Sequence, residues 1–480
     1  MALSSKSIAK SGEEFATGNI TKVLLKIAIP AIISLLVGEL YNMVDTMFVG
    51  RAIGATAIGG LTIAFPVQRL MISIGLLIAV GASTAVARAL GEKDQSKLKH
   101  IIANALTLMI ISMSIIITLI FIFKSNIIKF LGATDTIYPY ANDYISIVII
   151  GGIFQCFTVI IGYILIALGN SRANLIAISI GAVCNIIIDY IFVVAIPLGV
   201  KGAAIATVAS QILSAAYAYY HFLKIKKNFN ISLSLNLKGD ITKSIITIGF
   251  STFIIEISDA VVAVILNNVL SAHGDTAIII VGVVSRVSMF MYIAMLGITS
   301  AMQPIVAYNY GAENYERVKE VVKKATVAVT VTSIVVWITM MVFSRPILGS
   351  FIKETDILYQ AVKDFRIVIS IFPCVGIYFV AIYYYQAIEE ARLSLMLSIY
   401  RQLLIFIPIL FILIRLFGVK GTWISYPAAD IISAITGAYY LKTGLSIMDE
   451  RQVEADEELE KKRYVEKPRR TIGSYVNDIQ

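Results

Sequence analysis

Apolar runs of about twenty residues recur along the whole of this 480-residue chain, and no other feature constrains its fold as much. Inside a bilayer every backbone polar group must be satisfied within its own segment, so runs of this length read as membrane-crossing helices. Twelve are predicted, over residues 24–47, 55–82, 101–123, 141–165, 173–196, 201–223, 244–270, 276–303, 321–345, 361–387, 394–416 and 421–444. The chain is 58% hydrophobic and 15% charged, with mean hydropathy +0.83; a soluble domain carries about a quarter charged residues. The short alternating segments of a membrane barrel are missing. The expected fold class is therefore an all-α polytopic membrane protein. The polar first twenty residues predict no signal peptide. Cys156, Cys184 and Cys374 fall inside apolar runs and read as small packing residues.

With the N-terminus inside, the lysines and arginines divide into 28 on the inner side, 10 on the outer and two, Arg69 and Arg286, within the membrane. That bias places both termini in the cytoplasm. It also accounts for the net charge of +9 without a nucleic-acid partner.

The chain repeats itself. ARALGEKDQSKLKH (87–100) aligns with AYNYGAENYERVKE (307–320), and ALGNSR (167–172) with AIEEAR (387–392), both at an offset of 220; GVKGAA (199–204) aligns with GVKGTW (418–423) at 219. Each half holds six spans, so the halves share an orientation and are related by a pseudo-twofold along the membrane normal. The expected division is a cytoplasmic tail (1–20), a first lobe (21–223), a cytoplasmic linker (224–243), a second lobe (244–446) and a charged tail (447–480). Two such bundles suit transport by alternating access. No loop is long enough to form a catalytic domain, and His100, His221 and His273 sit at span ends on separate helices, so no enzyme is expected.

Charged residues inside the spans carry the functional signal. Pro30 to Arg51 contains Glu39 and Asp45, and a carboxylate in hydrocarbon costs ~2.5–3.5 kcal/mol or more. Pro30 removes one backbone hydrogen bond, which predicts a bend and a hinge. Asn185 and Asp189 are four residues apart and share a helix face, where their oxygens suit a cation or a proton relay. Tyr41 lies one turn from Asp45 on its face. Glu39 and Asp45, six apart, point in different directions. Under the offset, Glu39 corresponds to Asp259, with Glu256 one turn earlier, and Arg69 falls within one turn of the equivalent of Arg286. Two pseudo-equivalent charge pairs are therefore expected: Glu39 with Arg69, and Glu256 or Asp259 with Arg286. Asp45, Asn185 and Asp189 correspond to Ile265, Ile405 and Ile409, so this polar trio belongs to the first half alone, as a dedicated ion site would.

Blander readings stand beside these. Asp45 could be a solvated residue near a helix end, and Asn185 and Asp189 could pack between helices. Glu256 fits either a substrate or relay role or a structural charge pair. Asp430 reads as a hydrogen-bonding partner of a neighbouring helix, and Gln155 and Gln303 as packing amides. Tyr383, Tyr384 and Tyr385 read as core or lipid-facing, and Met71, Met289, Met291 and Met295 as packing.

YNMVDTMFVG, ARALGEKD, NIIIDYIF and AMQPIVAYNYGAENYERVKE together resemble the multidrug and toxic compound extrusion (MATE) family over residues 21–446, and within it the bacterial MepA-like exporters. The resemblance implies a V-shaped pair of six-helix bundles in the bacterial inner membrane. It implies a monomeric antiporter exporting small, cationic, amphipathic molecules in exchange for Na+ or H+, with no cofactor beyond that coupling ion. The family's cation site maps onto Asp45, Asn185, Asp189 and Thr207, which would be Na+ ligands under sodium coupling. Pro30 falls where relatives bend the first helix, and Glu256 matches an acid of the seventh. FPCVGIYFVAIYYYQAI lacks the tenth-helix acid of one branch, so a second-lobe cation site is not expected. Glu389 and Glu390 stand where relatives usually carry glycine and a basic or small residue. The alternative is a lipid-linked oligosaccharide flippase of similar architecture, which gathers several cationic side chains for pyrophosphate; Arg69 and Arg286 are the candidates here.

Overall fold

The computed structural model describes residues 12–231, 237–271, 275–352 and 354–466. These are all-α, with no strand among them. After a helical turn at 12–17 come α1 (Ile20–Ala52), α2 (Ala55–Gly91), α3 (Gln95–Phe130), α4 (Tyr138–Ala167), α5 (Ser171–Ala195) and α6 (Gly199–Phe229). The second half supplies α7 (Gly239–Ser271), α8 (Asp275–Gly311), α9 (Tyr315–Gly349), α10 (Thr355–Val368 with Phe372–Ala387), α11 (Ala391–Phe417) and α12 (Val419–Glu466). Nine of these are long and apolar enough to cross a membrane alone, and α10, whose halves meet at 49°, makes ten. The two that fall short, α6 and α12, are the sixth helices of their halves. Both bury small residues, such as Ala203, Thr207 and Ser210 in α6 and Thr422, Ser425 and Ser433 in α12. Small side chains let helices approach closely, which lowers hydropathy without changing the role. His273, part of the linker and part of the tail lie outside the described residues; α6 runs to Phe229 and α12 continues to Glu466.

The repeat is visible in the backbone. Lys93 and Glu313, 220 apart, both adopt left-handed φ, 58° and 56°. The next residues, Asp94 and Asn314, cap the following helices by accepting from the backbone N–H of Lys97 at 2.8 Å and Arg317 at 3.1 Å. Gly169 (φ 79°) matches Glu389 (φ 62°), and Gly199 (64°) matches Gly418 (61°). At Glu389 a side chain occupies a conformation that favours glycine.

Helix packing follows the same symmetry. In the first lobe α1 packs on α5, α2 on α4 and α4 on α6; in the second α7 packs on α11, α8 on α10 and α10 on α12. Across the seam α1 meets α8, α7 meets α2, and α2 meets α8. The approach is closest on the side marked by the basic residues. A Cβ added at Gly81 of α2 would stand 2.0 Å from the Ile245 carbonyl oxygen of α7, and one at Gly249 of α7 would stand 1.7 Å from that of Leu77. Only residues lacking a Cβ allow this crossing.

Polar contacts finish the closure on the basic side. Gln303 of α8 donates to Thr84 of α2 at 2.8 Å and to Gln386 of α10 at 3.3 Å, and Gln386 donates to Thr252 of α7 at 3.2 Å. Arg88 of α2 pairs with Glu92 and reaches across the seam to Glu389. Asn309 and Arg317 of the second lobe donate to the Phe15 carbonyl, at 3.1 and 2.6 Å, and so hold the N-terminal segment.

Candidate functional site

Four helices of the first lobe build one polar cluster. Asp45 comes from α1, Asn185 and Asp189 from successive turns of α5, Tyr144 from α4 and Thr207 from α6. Asn185 and Asp189 are wholly buried and Asp45 is 7% exposed, so Asp45 is not a solvated residue at a helix end. The Asp45 and Asp189 carboxylates are neighbours in this cluster. The Tyr144 hydroxyl donates to Asp45 Oδ2 at a long 3.5 Å, and the Thr207 hydroxyl donates to the Ala203 carbonyl at 3.0 Å. Asp45 Oδ1, both Asp189 oxygens and both polar atoms of the Asn185 amide find no partner among the described residues.

Orphaned polar atoms at such depth are expensive, and two adjacent carboxylates cannot both stay ionised without compensation. Either a shared proton or a cation between them satisfies the arrangement. The donor set is entirely oxygen, which suits a hard monovalent ion rather than a transition metal. Among the described residues no three His, Cys, Asp or Glu gather into a metal cluster. Directly after Asp189 the helix widens into a π-turn over Tyr190–Ala195, a feature often found at functional sites. Pro30 lies within one uninterrupted helix, with the Ser34 hydroxyl donating to its carbonyl at 2.7 Å. Tyr144 carried no distinguishing signal in the sequence: it is one of 24 tyrosines.

Glu39 points away from this cluster, towards a second charge group at mid-membrane. Arg69 of α2 stands 3.9 Å from Glu39 and 3.4 Å from Glu256 of α7, and its guanidinium lies over the Phe65 ring at 5.0 Å. Tyr41, one turn before Asp45 on α1, is half-buried. The expected pairing of Glu256 or Asp259 with Arg286 is not formed. Arg286 is exposed, Glu256 is held by Arg69, and Asp259 accepts from the Gln402 amide of α11. The physical reason is the seam: α7 packs against α2 of the other lobe, so its acid meets the arginine across the interface.

A further correction concerns Arg401, one of the 28 basic residues that the expected topology puts on the inner side. It lies eleven residues into α11, within a π-turn over Tyr400–Phe406, and donates to Asp430 of α12 at 2.9 Å and to the Tyr292 hydroxyl at 2.9 Å. Asp430 therefore does bond a neighbouring helix, as an ion pair. Gln155 accepts from Gln211 at 3.2 Å. Tyr384 and Tyr385 are core, donating to the carbonyls of Gly444 and Tyr440. Met71, Met291 and Met295 are buried, while Met289 is exposed.

A family model described as MatE matches residues 30–191 and 247–412, one segment in each lobe. The chain belongs to the MATE family. Its relatives include the multidrug export protein MepA of Staphylococcus aureus (strain MSSA476), 25% identical over 90% of this chain and 96% of the relative. MepA of Staphylococcus saprophyticus is 24% identical over the same shares. Among solved structures, the outward-facing conformation of a multidrug resistance MATE family transporter superimposes with TM-score 0.86 at 22% identity, over 92% of this chain and 99% of that one. A transporter of the MOP superfamily from Pyrococcus furiosus gives 0.85 at 22%, over 91% and 98%. These likenesses establish the fold: twelve helices in two six-helix bundles. As a MATE member the chain is a multi-pass membrane transporter and not an enzyme.

Proposed function

We propose that this chain is a secondary antiporter that exports small, cationic, amphipathic drugs in exchange for Na+ or H+. The buried, partnerless oxygens of Asp45, Asn185 and Asp189 carry the reading, and the multidrug export of its MepA relatives supports it. The basic side faces the cytoplasm, with both termini there, in a bacterial inner membrane. The lobes span 21–223 and 244–446, joined by the linker 224–243 and flanked by cytoplasmic tails, and the transporter works as a monomer within the lipid bilayer.

With the cytoplasmic side closed, Asp45 and Asp189 take up the coupling ion from outside, aided by the Asn185 amide and the Thr207 hydroxyl. Its charge removes the repulsion between the two carboxylates. That draws α1 towards α5, and Pro30 provides the place where α1 yields. Glu256 and Asp259 hold substrate in the cavity between the lobes until that shift.

A tenfold ion gradient supplies ~1.4 kcal/mol, and ~100 mV adds ~2.3 kcal/mol per charge. Exporting one monovalent cation against the same potential costs the same ~2.3 kcal/mol, so one-for-one exchange matches a tenfold drug gradient to a tenfold ion gradient. Two acids at one site leave room for a second ion.

The test is dye efflux from vesicles energised by an imposed Na+ or H+ gradient. Asp45→Asn and Asp189→Asn should each abolish gradient-driven efflux while protein levels persist; normal efflux in both would remove the site. The flippase reading is weaker, because of its two candidate cations Arg69 is held by Glu39 and Glu256, which leaves Arg286 rather than several cationic side chains for a pyrophosphate.

A further inference from the structure

Arg69 occupies the place that the cavity would offer a substrate. Its guanidinium sits between Glu39 of the first lobe and Glu256 of the second, at 3.9 and 3.4 Å, near the middle of all three helices. None of the three is sealed in: their side chains are 29%, 27% and 25% exposed. The guanidinium also lies over an aromatic face, that of Phe65 at 5.0 Å. Two carboxylates and an aromatic ring are what a soft organic cation seeks. Here the chain presents its own.

The position of this contact matters as much as its chemistry. Arg69 lies eight residues before Leu77, where α2 and α7 come into closest contact, roughly 12 Å along the helix. The Arg69–Glu256 pair is thus a tie across the seam just outside the sealed cytoplasmic half. Freeing Glu256 loosens that tie.

We propose that Arg69 is a tethered competitor of the substrate: a monovalent lipophilic cation binds by displacing the guanidinium from Glu256. Binding and the untying of the lobes are then one event. The inference rests on the cation-export reading above and adds how the cavity discriminates. A neutral amphiphile cannot make the exchange, because it leaves Arg69 on Glu256. A monocation takes over Glu256 while Arg69 stays on Glu39, so that each carboxylate then has a cation of its own.

The experiment measures binding of tetraphenylphosphonium to the purified full-length protein in nanodiscs. Arg69→Gln removes the competitor and should tighten the dissociation constant about tenfold. Arg69→Lys keeps the charge but loses the planar fork that spans two carboxylates, and should fall between Arg69→Gln and wild type. Glu256→Gln should weaken binding at least tenfold, and adding Arg69→Gln to it should recover little. Unchanged or weaker binding in Arg69→Gln, with a wild-type thermal midpoint, overturns the proposal. If Arg69→Gln does not fold, Arg69→Lys decides alone by the same criterion. Wild-type binding that neither variant tightens sinks this proposal and leaves cation export standing. An absence of binding in every variant removes both.

Discussion

At the scale of single residues, depth and partnership separate the charges inside this membrane protein. Arg401 and Asp430 are 13% and 5% exposed and satisfy each other. Breaking such a buried pair costs about 3–5 kcal/mol, whereas replacing both members with apolar residues can be neutral. Asp430→Asn should therefore lower the thermal midpoint in detergent markedly, and Arg401→Met with Asp430→Leu should restore most of it. Asp45 and Asp189 lack such a partner, so the coupling ion itself should stabilise the fold. A ligand at 100 times its dissociation constant contributes about 2.7 kcal/mol. Under sodium coupling, Na+ but not choline should raise the midpoint, and the rise should vanish in Asp189→Asn; under proton coupling the midpoint should respond to pH and not to Na+. Asp45, Asn185 and Asp189 were legible because carboxylates and amides are rare in apolar runs. Arg401 was not, because it follows the basic Arg392 closely and the span boundary there is diffuse. Tyr144 was not, because tyrosine is common in this composition.

At the scale of helices, the turns were the most readable parts. The matching segments around Lys93 and Glu313 read as a repeat, and both residues are left-handed with a capping side chain following. The π-turns after Asp189 and at Tyr400 carry no composition signal, since they depend on how the helix meets its neighbours. The crossing of α2 and α7 rests on Gly81 and Gly249. Alanine at either forces the helices apart, because the obstructing atoms are backbone carbonyl oxygens at 2.0 and 1.7 Å. Gly249→Ala should thus open the basic side. A cysteine replacing the buried Thr84, in a background lacking Cys156, Cys184 and Cys374, should become reactive to a thiol reagent added from that side. Protection equal to that of the parent would show that the seal does not depend on this crossing.

At the scale of the whole molecule, the sequence predicts charge pairs within each half; the structure keeps Glu39 beside Arg69, and it takes Glu256 across the seam to that same arginine instead of to Arg286. The offset reports which positions are equivalent. It is silent on which helix of one lobe faces which helix of the other. The contact between Arg88 and Glu389 shows the consequence on the basic side. Partly exposed pairs contribute about 0.2–1 kcal/mol, enough to shift a balanced pair of conformations up to about fivefold. Arg88→Glu should favour the state open to the cytoplasm, read as a longer distance between spin labels on the two lobes, and the swap with Glu389→Arg should bring it back. A swap that leaves the distances at the single-mutant values would assign the effect to Arg88's other partners, Glu92 and Tyr310.

The paired turns also say something about descent. A six-helix unit that dimerised about a true twofold would carry either two cation sites or none, since each change in one copy would appear in the other. Joining two copies through one linker lifts that constraint. One lobe is then free to keep acids at Asp45 and Asp189 while the other replaces them with Ile265 and Ile409. Fusion of the copies is what permits the two lobes to carry different residues at equivalent positions.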